Sequence, residues 1–321
     1  MKKIKILITG SLGFIFSNLI RKIVYENYPY TIVSLDNISR KNHINSVYVN
    51  RGHQFHIGDI TDENFIDNIL TLESPDIVIH AAANTFVDDS IRDPLQFVKT
   101  NVVGTQVLLN ASIKHKVKKF VYISTDEVYG HLTSESEPSW DESASLDPRN
   151  PYAASKAAGE LLVRAAHETF GLPYIITRAS NNYGPRQTVE KFIPKIIKCI
   201  LNNEPIPIYG QGNQIRDWTH VFDNCSAVLK ILSSGKDNQV YNISSNQEFS
   251  NLEVVHEICK LMEKGQDLIS FVPDRPGHDF RYSTSSTKLK SLGWMPNYKF
   301  KKGGLAHCVE WYLDNKYYLN M

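Results

Sequence analysis

Short apolar runs alternate with longer amphipathic stretches through the first half of the chain. Ile4–Thr9, Thr31–Leu35, Gln54–Ile57, Asp76–His80, Lys119–Ser124 and Tyr174–Thr177 have the composition and length of buried strands. Between them, Ser17–Tyr25, Glu63–Leu72, Pro94–His115 and Pro151–Phe170 carry apolar residues at helical spacing. This alternation predicts an α/β fold: a doubly wound parallel sheet covered on both faces and built from right-handed crossovers. Ligands of such sheets gather at the carboxyl ends of the strands. Beyond Arg178 the pattern loosens and prolines punctuate it. The chain therefore reads as a Rossmann domain over 1–177, with a return to the sheet around 218–245. A smaller, mainly substrate-binding α/β domain follows over 178–321.

Composition narrows the class. With 321 residues, 42% hydrophobic and 21% charged, the chain can bury a large core. Thirty-five basic side chains face 34 acidic ones, which leaves no electrostatic footprint for nucleic acid or an anionic membrane. The first apolar run ends at Gly10, too short to span a bilayer. Four cysteines lie far apart without a CxxC pair, an arrangement that speaks against zinc and fits a reducing, cytoplasmic setting.

The candidate chemistry falls just after the strands. Gly10-Ser-Leu-Gly13-Phe14-Ile15-Phe16 joins the first strand to the first helix, as a turn offering backbone amides to a pyrophosphate would. Phe16 stands where a third glycine normally serves helix–strand packing. The expectation is a displaced first helix or unusually small neighbours. Asp36 ends the second strand, where an acid can accept from adenosine ribose hydroxyls and favours NAD over NADP. Asp59 follows the third strand, placed for the adenine amine, and Ala81, Ala82 and Ala83 follow the fourth. Singly, each also fits a solvated loop residue; their order along the strand ends is what points to a dinucleotide.

Tyr152 and Lys156 are four residues apart and share one face of a predicted helix. A nearby ammonium stabilises phenolate, so the Tyr152 pKa is expected to fall toward neutrality, suiting it to deprotonate an alcohol. Asp126 and Glu127 follow the fifth strand. Hydride transfer needs no carboxylate, whereas removing a proton beside a ketone and expelling a β-hydroxyl needs a base and an acid. A bare acidic pair could equally be a solvated turn.

GSLGFIFSN, LDNIS, GDITD, HAAANTFVDDSI, STDEVYG, NPYAASKAAGE and TRASNNYGPRQ together resemble the extended short-chain dehydrogenase/reductase superfamily. Within it the chain is similar to the nucleotide-diphosphate-glucose 4,6-dehydratases, over nearly its whole length to GWMPNYKFKKGG. The resemblance implies NAD held by Gly10, Gly13, Phe14, Ile15, Asp36, Asn37, Asp59, Ile60, Ala81, Ala82, Ala83, Tyr152 and Lys156, and no metal. It implies that Tyr152, activated by Lys156, takes the glucose 4-hydroxyl proton as hydride leaves C4, with Thr125 bonded to the C4 oxygen. Glu127 then removes the C5 hydrogen, Asp126 protonates the departing C6 hydroxyl, and hydride returns to C6. The product is a 4-keto-6-deoxy sugar nucleotide of deoxysugar biosynthesis, such as the rhamnose pathway.

The same resemblance assigns Asp88, Ser90, Asn182, Glu190, Lys191, Arg216, Asn251, Arg275 and His278 to the nucleotide sugar. The family usually has His at position 86 and an acid or amide at 84; here Phe86 and Asn84 stand there, and Phe86 removes a polar partner near the sugar. The resemblance also implies a homodimer built on the Pro94–His115 and Pro151–Phe170 helices. A nucleotide-sugar 4-epimerase shares the turn, Tyr152 and Lys156 but leaves the acidic pair unexplained. A non-catalytic NAD-binding sensor or scaffold leaves all four unexplained. UDP- and dTDP-glucose remain alternative substrates.

Overall fold

The structure, a computed structural model, describes residues 3–38, 54–274 and 277–319. Strands β1 (Ile4–Thr9), β2 (Tyr30–Asp36), β3 (Gln54–Ile57), β4 (Ile77–His80), β5 (Lys119–Thr125) and β6 (Tyr174–Ala179) follow the predicted order. After them come β7 (Asn181–Tyr183), β8 (Ile206–Tyr209), β9 (Ile215–His220), β10 (Gln239–Ile243), β11 (Glu248–Ser250) and β12 (Ile269–Val272). Seven strands form one parallel sheet in the order β10-β6-β5-β4-β1-β2-β3. Chain direction across the sheet reverses between β1 and β4, which opens a crevice at their carboxyl ends.

Both faces of the sheet are covered, which is why its strands are apolar throughout rather than alternating. On one face the helices Phe14–Tyr25 and Val221–Ser234 pack with Ile6, Ile8, Val121 and Ile243. On the other, Glu63–Glu73, Gly104–Lys114 and Pro151–Phe170 pack with Leu7, Val33, Val78 and Ile176. The predicted Pro94–His115 helix is a composite: a short turn at Pro94–Phe97, a π-helical segment at Val98–Val103, then Gly104–Lys114. A third core around Ile197, Trp218, Ile258, Phe300 and Tyr312 belongs to the C-terminal part. There β11, β9 and β7 form a mixed sheet, and β12 pairs with β8.

Phe16 lies inside the first helix, 3% exposed, in the core shared with Val221–Ser234. That core includes the small Ala179, Cys225 and Ala227 beside the full-sized Val221 and Ile243.

Candidate active site

The turns after β1 and β4 meet at the crevice. Gly10 has φ +68°, and a Cβ there would lie 2.7 Å from the Ala82 nitrogen, so only glycine allows this approach. The turn is closed by Gly13 N donating to Gly10 O at 3.0 Å. The N-terminus of helix Phe14–Tyr25 then opens onto a cavity of about 380 Å³. Gly10, Gly13, Phe14, Ile15, Asp36, Asn37, Ile60, Ala81, Ala82 and Ala83 all line it. Asp36 Oδ2 accepts from Leu12 N at 3.0 Å, which ties the end of β2 to the glycine turn. Burial raises the Asp36 pKa, opposed by the amides of Leu12, Ile38 and Asn37. Asp59 does not line the cavity, although Gly58 and Ile60 on either side do. It is exposed, and its Oδ1 accepts from Thr61 N and Oγ1, both at 2.8 Å.

Across the cavity stand Thr125, Glu127, Tyr152 and Lys156. Asn150 caps the Pro151–Phe170 helix, its Oδ1 accepting from Ala153 N at 2.8 Å, and Pro151 supplies the first helical φ. This start sets Tyr152 and Lys156 facing the ends of β5 and β6. Gly159, one turn on, lies so close to Tyr122 of β5 that a Cβ would meet its hydroxyl at 2.1 Å. The helix therefore rests directly on the sheet.

Asp126 and Glu127 occupy one tight helical turn, Asp126–Tyr129, capped by Thr125. Adjacent side chains diverge there. Glu127 lines the cavity and accepts from Asn150 Nδ2 at 3.0 Å through Oε2. Asp126 is 3% exposed and is not a lining residue. Its Oδ1 accepts from Thr125 Oγ1 at 3.3 Å, and its buried Oδ2 has no partner among the described residues. Burial, then the charges of Glu127 and Asp217, hold the Asp126 pKa well above the carboxylate range; Arg216 and Thr125 only partly oppose them. Burial therefore favours the protonated form of Asp126.

The expected fall in the Tyr152 pKa is not seen. Burial and the neighbouring carboxyls of Glu127 and Asp126 push the phenol up, and the Thr125 hydroxyl only partly offsets them. Lys156, also buried, is itself pushed down to about 7, with Glu160 acting the other way. Its ammonium lies 4.1 Å over the Tyr122 ring. Desolvation governs both groups, and the ammonium does not lower the phenol pKa as the sequence argument required.

The substrate candidates divide into three groups. Asn182, Glu190 and Lys191 line the cavity. The buried Oδ1 of Asn182 has no partner among the described residues, the chemistry of a site awaiting a donor. Lys191 Nζ donates to Thr85 O at 3.0 Å and sits 4.2 Å over the Phe86 ring, so the residue that departs from the family pattern forms a wall beneath this ammonium. A second group lies outside the lining. Asn251 Nδ2 reaches Gln214 Oε1 at 3.4 Å, Gln214 Nε2 donates to Asp274, and Asp274 pairs with His278 Nδ1 at 2.6 Å. Near them Arg216 donates to the carbonyls of Ile215, Phe280 and Asp279. Arg275 falls outside the described residues. In the third group, Asp88 and Ser90 do not line the cavity: Asp88 is exposed and Ser90 is buried, donating to Val87 O within its own short helix.

Three contributors escaped the sequence reading. Asn150 was legible, since Asn before Pro is a helix-start signal. Asn101, in the π-helical segment, had no local signal; its amide bonds Asn84 O at 3.0 Å and Ser155 Oγ at 2.8 Å. Arg186 lines the cavity with a left-handed φ of +74° and a guanidinium near Asn18 of the first helix.

The sequence model of the GDP-mannose 4,6 dehydratase family matches residues 7–304. The chain is similar to a dTDP-glucose 4,6-dehydratase of Streptomyces niveus, 41% identical over 97% of this chain and 94% of the relative. It is similar to the solved structure of DesIV, a dTDP-glucose 4,6-dehydratase from Streptomyces venezuelae with NAD and TYD bound. That match has 36% identity and a TM-score of 0.92 over 98% of each chain. It is also similar to a UDP-glucose 4-epimerase from Thermotoga maritima with UDP-glucose, at 30% identity and a TM-score of 0.90 over 98% of this chain and 100% of the other.

Proposed function

The chain belongs to the GDP-mannose 4,6 dehydratase family, and from that premise we propose that it is an NAD-dependent hydro-lyase acting on a nucleoside-diphosphate glucose. The substrate we assign is dTDP-glucose, the sugar nucleotide named for its relatives, and the product its 4-keto-6-deoxy derivative. The observation that carries this reading is the split between two adjacent acids, Glu127 lining the cavity and Asp126 buried behind it, where desolvation raises its pKa. The fold alone does not separate a dehydratase from an epimerase, since both kinds of structure superpose closely. An epimerase has no use for the acidic pair.

The residues present fit NAD: the glycine turn admits backbone at close range, a helix N-terminus faces the cavity, and Asp36 stands at the end of β2. When bound, NAD would supply the hydride acceptor for the sugar's C4 and the hydride donor for C6. The chain's own side chains manage the protons. Tyr152 Oη takes the proton of the 4-hydroxyl, with the Thr125 hydroxyl acting against the upward shift of the phenol. The resulting C4 carbonyl acidifies the C5 hydrogen, which passes to the Glu127 carboxylate. Asp126, just behind the wall and bonded to the lining Thr125 Oγ1, is the source of the proton with which the C6 hydroxyl leaves as water. The C5 position regains its proton from Glu127 when C6 is reduced.

In this reading residues 1–177, with a return around 218–245, hold the cofactor, and 178–321 mainly hold the nucleotide sugar. The pairing of β10 with β6 supports that return. Four free, buried cysteines suit a reducing cytoplasm, and among the described residues no helix is long and apolar enough to cross a membrane. Exposed apolar residues Leu95, Val98, Val103 and Leu161, on helical segments that pack together, support a homodimer.

The test is product analysis with dTDP-glucose and UDP-glucose in parallel. A 4-keto-6-deoxy product absorbing in alkali is expected, with dTDP-glucose preferred. The galactose nucleotide as sole product would overturn the reading in favour of an epimerase.

A further inference from the structure

Beneath the cavity, between the turns after β1 and β4, runs a buried chain of hydrogen bonds that the proposed chemistry does not use. Thr9, His80, Asn101 and Thr105 are each at most 1% exposed. His80 Nδ1 lies 2.9 Å from Thr9 Oγ1, and its Nε2 lies 2.9 Å from Thr105 Oγ1. At one end the amides of Ala81 and Ala82 both donate to Thr9 Oγ1 at 3.2 Å. At the other, Thr105 Oγ1 donates to the Asn101 carbonyl at 2.6 Å.

The proton count decides the direction of every bond. A hydroxyl has one proton to give, and a carbonyl can only accept. The Thr105 proton is committed to Asn101 O, so Thr105 Oγ1 must accept from His80 Nε2–H. Thr9 Oγ1 already accepts from two amides, so its own proton goes to His80 Nδ1. Both ends demand the same neutral tautomer. Beyond Asn101 the path continues through its amide to Ser155 Oγ at 2.8 Å, and Ser155 donates to Tyr152 O at 2.7 Å. The chain thus links the Ala81–Ala83 turn to the first turn of the helix that bears Tyr152 and Lys156.

We propose that His80 is a positioning residue: fixed as the neutral Nε2–H tautomer, it holds the Ala81–Ala83 turn in register with the Pro151–Phe170 helix. Burial and the nearby Lys156 ammonium both act against protonation of the ring. A second proton on Nδ1 would force the Thr9 hydroxyl to reverse and displace an alanine amide. The Phe120 and Tyr122 rings, packed against the imidazole, offer no charge to relieve it.

The first test does not depend on the proposed reaction. Nitrogen-15 NMR of histidine-labelled protein, with the His80 signal assigned by its loss in His80→Asn, should show Nε2 protonated and Nδ1 bare between about pH 6 and 8, across the range where an ordinary histidine titrates. A proton on Nδ1 anywhere in that range overturns the proposal.

The second test rests on the reading of NAD as cofactor. Asn carries its amide oxygen where Nδ1 sits, and Gln carries its amide nitrogen where Nε2 sits. His80→Asn should keep the Thr9 bond and lose Thr105, lowering kcat by about tenfold while NAD affinity by fluorescence titration stays within about twofold. His80→Gln should do the reverse, weakening NAD by about tenfold with kcat at saturation little changed. Equal losses of both quantities in both variants would mark His80 as packing only and overturn the proposal. Absence of NAD binding in the wild type would instead refute the proposed function.

Discussion

Asn150 Nδ2 donates to Glu127 Oε2 at 3.0 Å while Asn150 Oδ1 caps the helix that carries Tyr152 and Lys156. One amide therefore orients the candidate base and starts the candidate catalytic helix. Asp is as good a helix cap as Asn but brings a carboxylate against Glu127. Asn150→Asp should keep Tm near that of wild type and lower kcat by about tenfold or more through misplacement of the base. Asn150→Ala should add a loss of about 1 kcal/mol from the missing cap. Thermal melts beside steady-state kinetics check this, and an Asp variant with normal kcat would contradict the orienting role.

Asp126 carries a pH signature. Its folded pKa is raised by burial, above an unfolded value of about 3.9. The folded chain keeps a proton that the unfolded chain releases, so the group's stabilising contribution is full below about pH 3.9 and is lost as pH rises toward the folded pKa. Asp126→Asn has no such dependence. Relative to wild type its Tm should climb as pH rises above about 4, while kcat falls by about 10²–10⁴ for want of the acid. A pH-independent Tm difference would show that Asp126 is ionised in the fold.

Phe86 is the floor under Lys191. Phe86→Leu removes the aromatic face, an interaction of about 0.5–1 kcal/mol at such sites. The expected outcome is a rise of about threefold in KM for the sugar nucleotide, with kcat unchanged. An unchanged KM would place Lys191 outside substrate binding.

Leu95 and Leu161 are 77% and 59% exposed on neighbouring helices. A charge there should be tolerated by the folded chain and resisted by a subunit interface. Leu161→Glu should convert a dimer to monomer in light scattering at micromolar concentration while leaving the circular dichroism spectrum unchanged. An unaltered dimer would locate the interface elsewhere.

Much of this architecture was legible in the residues themselves. Six apolar runs specified the first six strands because a strand covered on both faces cannot hide its composition. Gly10 announced the turn because its left-handed backbone tolerates no other residue well, and the Tyr152–Lys156 spacing follows from helical geometry alone. The composite helix around Asn101 was not legible, since a π-helical segment leaves no distinct periodicity in a run this short.

Tertiary structure alone decided three things. It turned Asp126 inward and Glu127 outward, so that neighbours in sequence differ in solvation, and burial raises the pKa of Asp126. It left Asp59, Asp88 and Ser90 off the cavity wall while bringing Asn182, Glu190 and Lys191 onto it. It gave Phe16 a buried place against the Val221–Ser234 helix, where the local rule asked for glycine. The physical reason is common to all three. Sequence spacing encodes which face of an element a residue occupies, but desolvation and contact depend on what distant segments pack against that face.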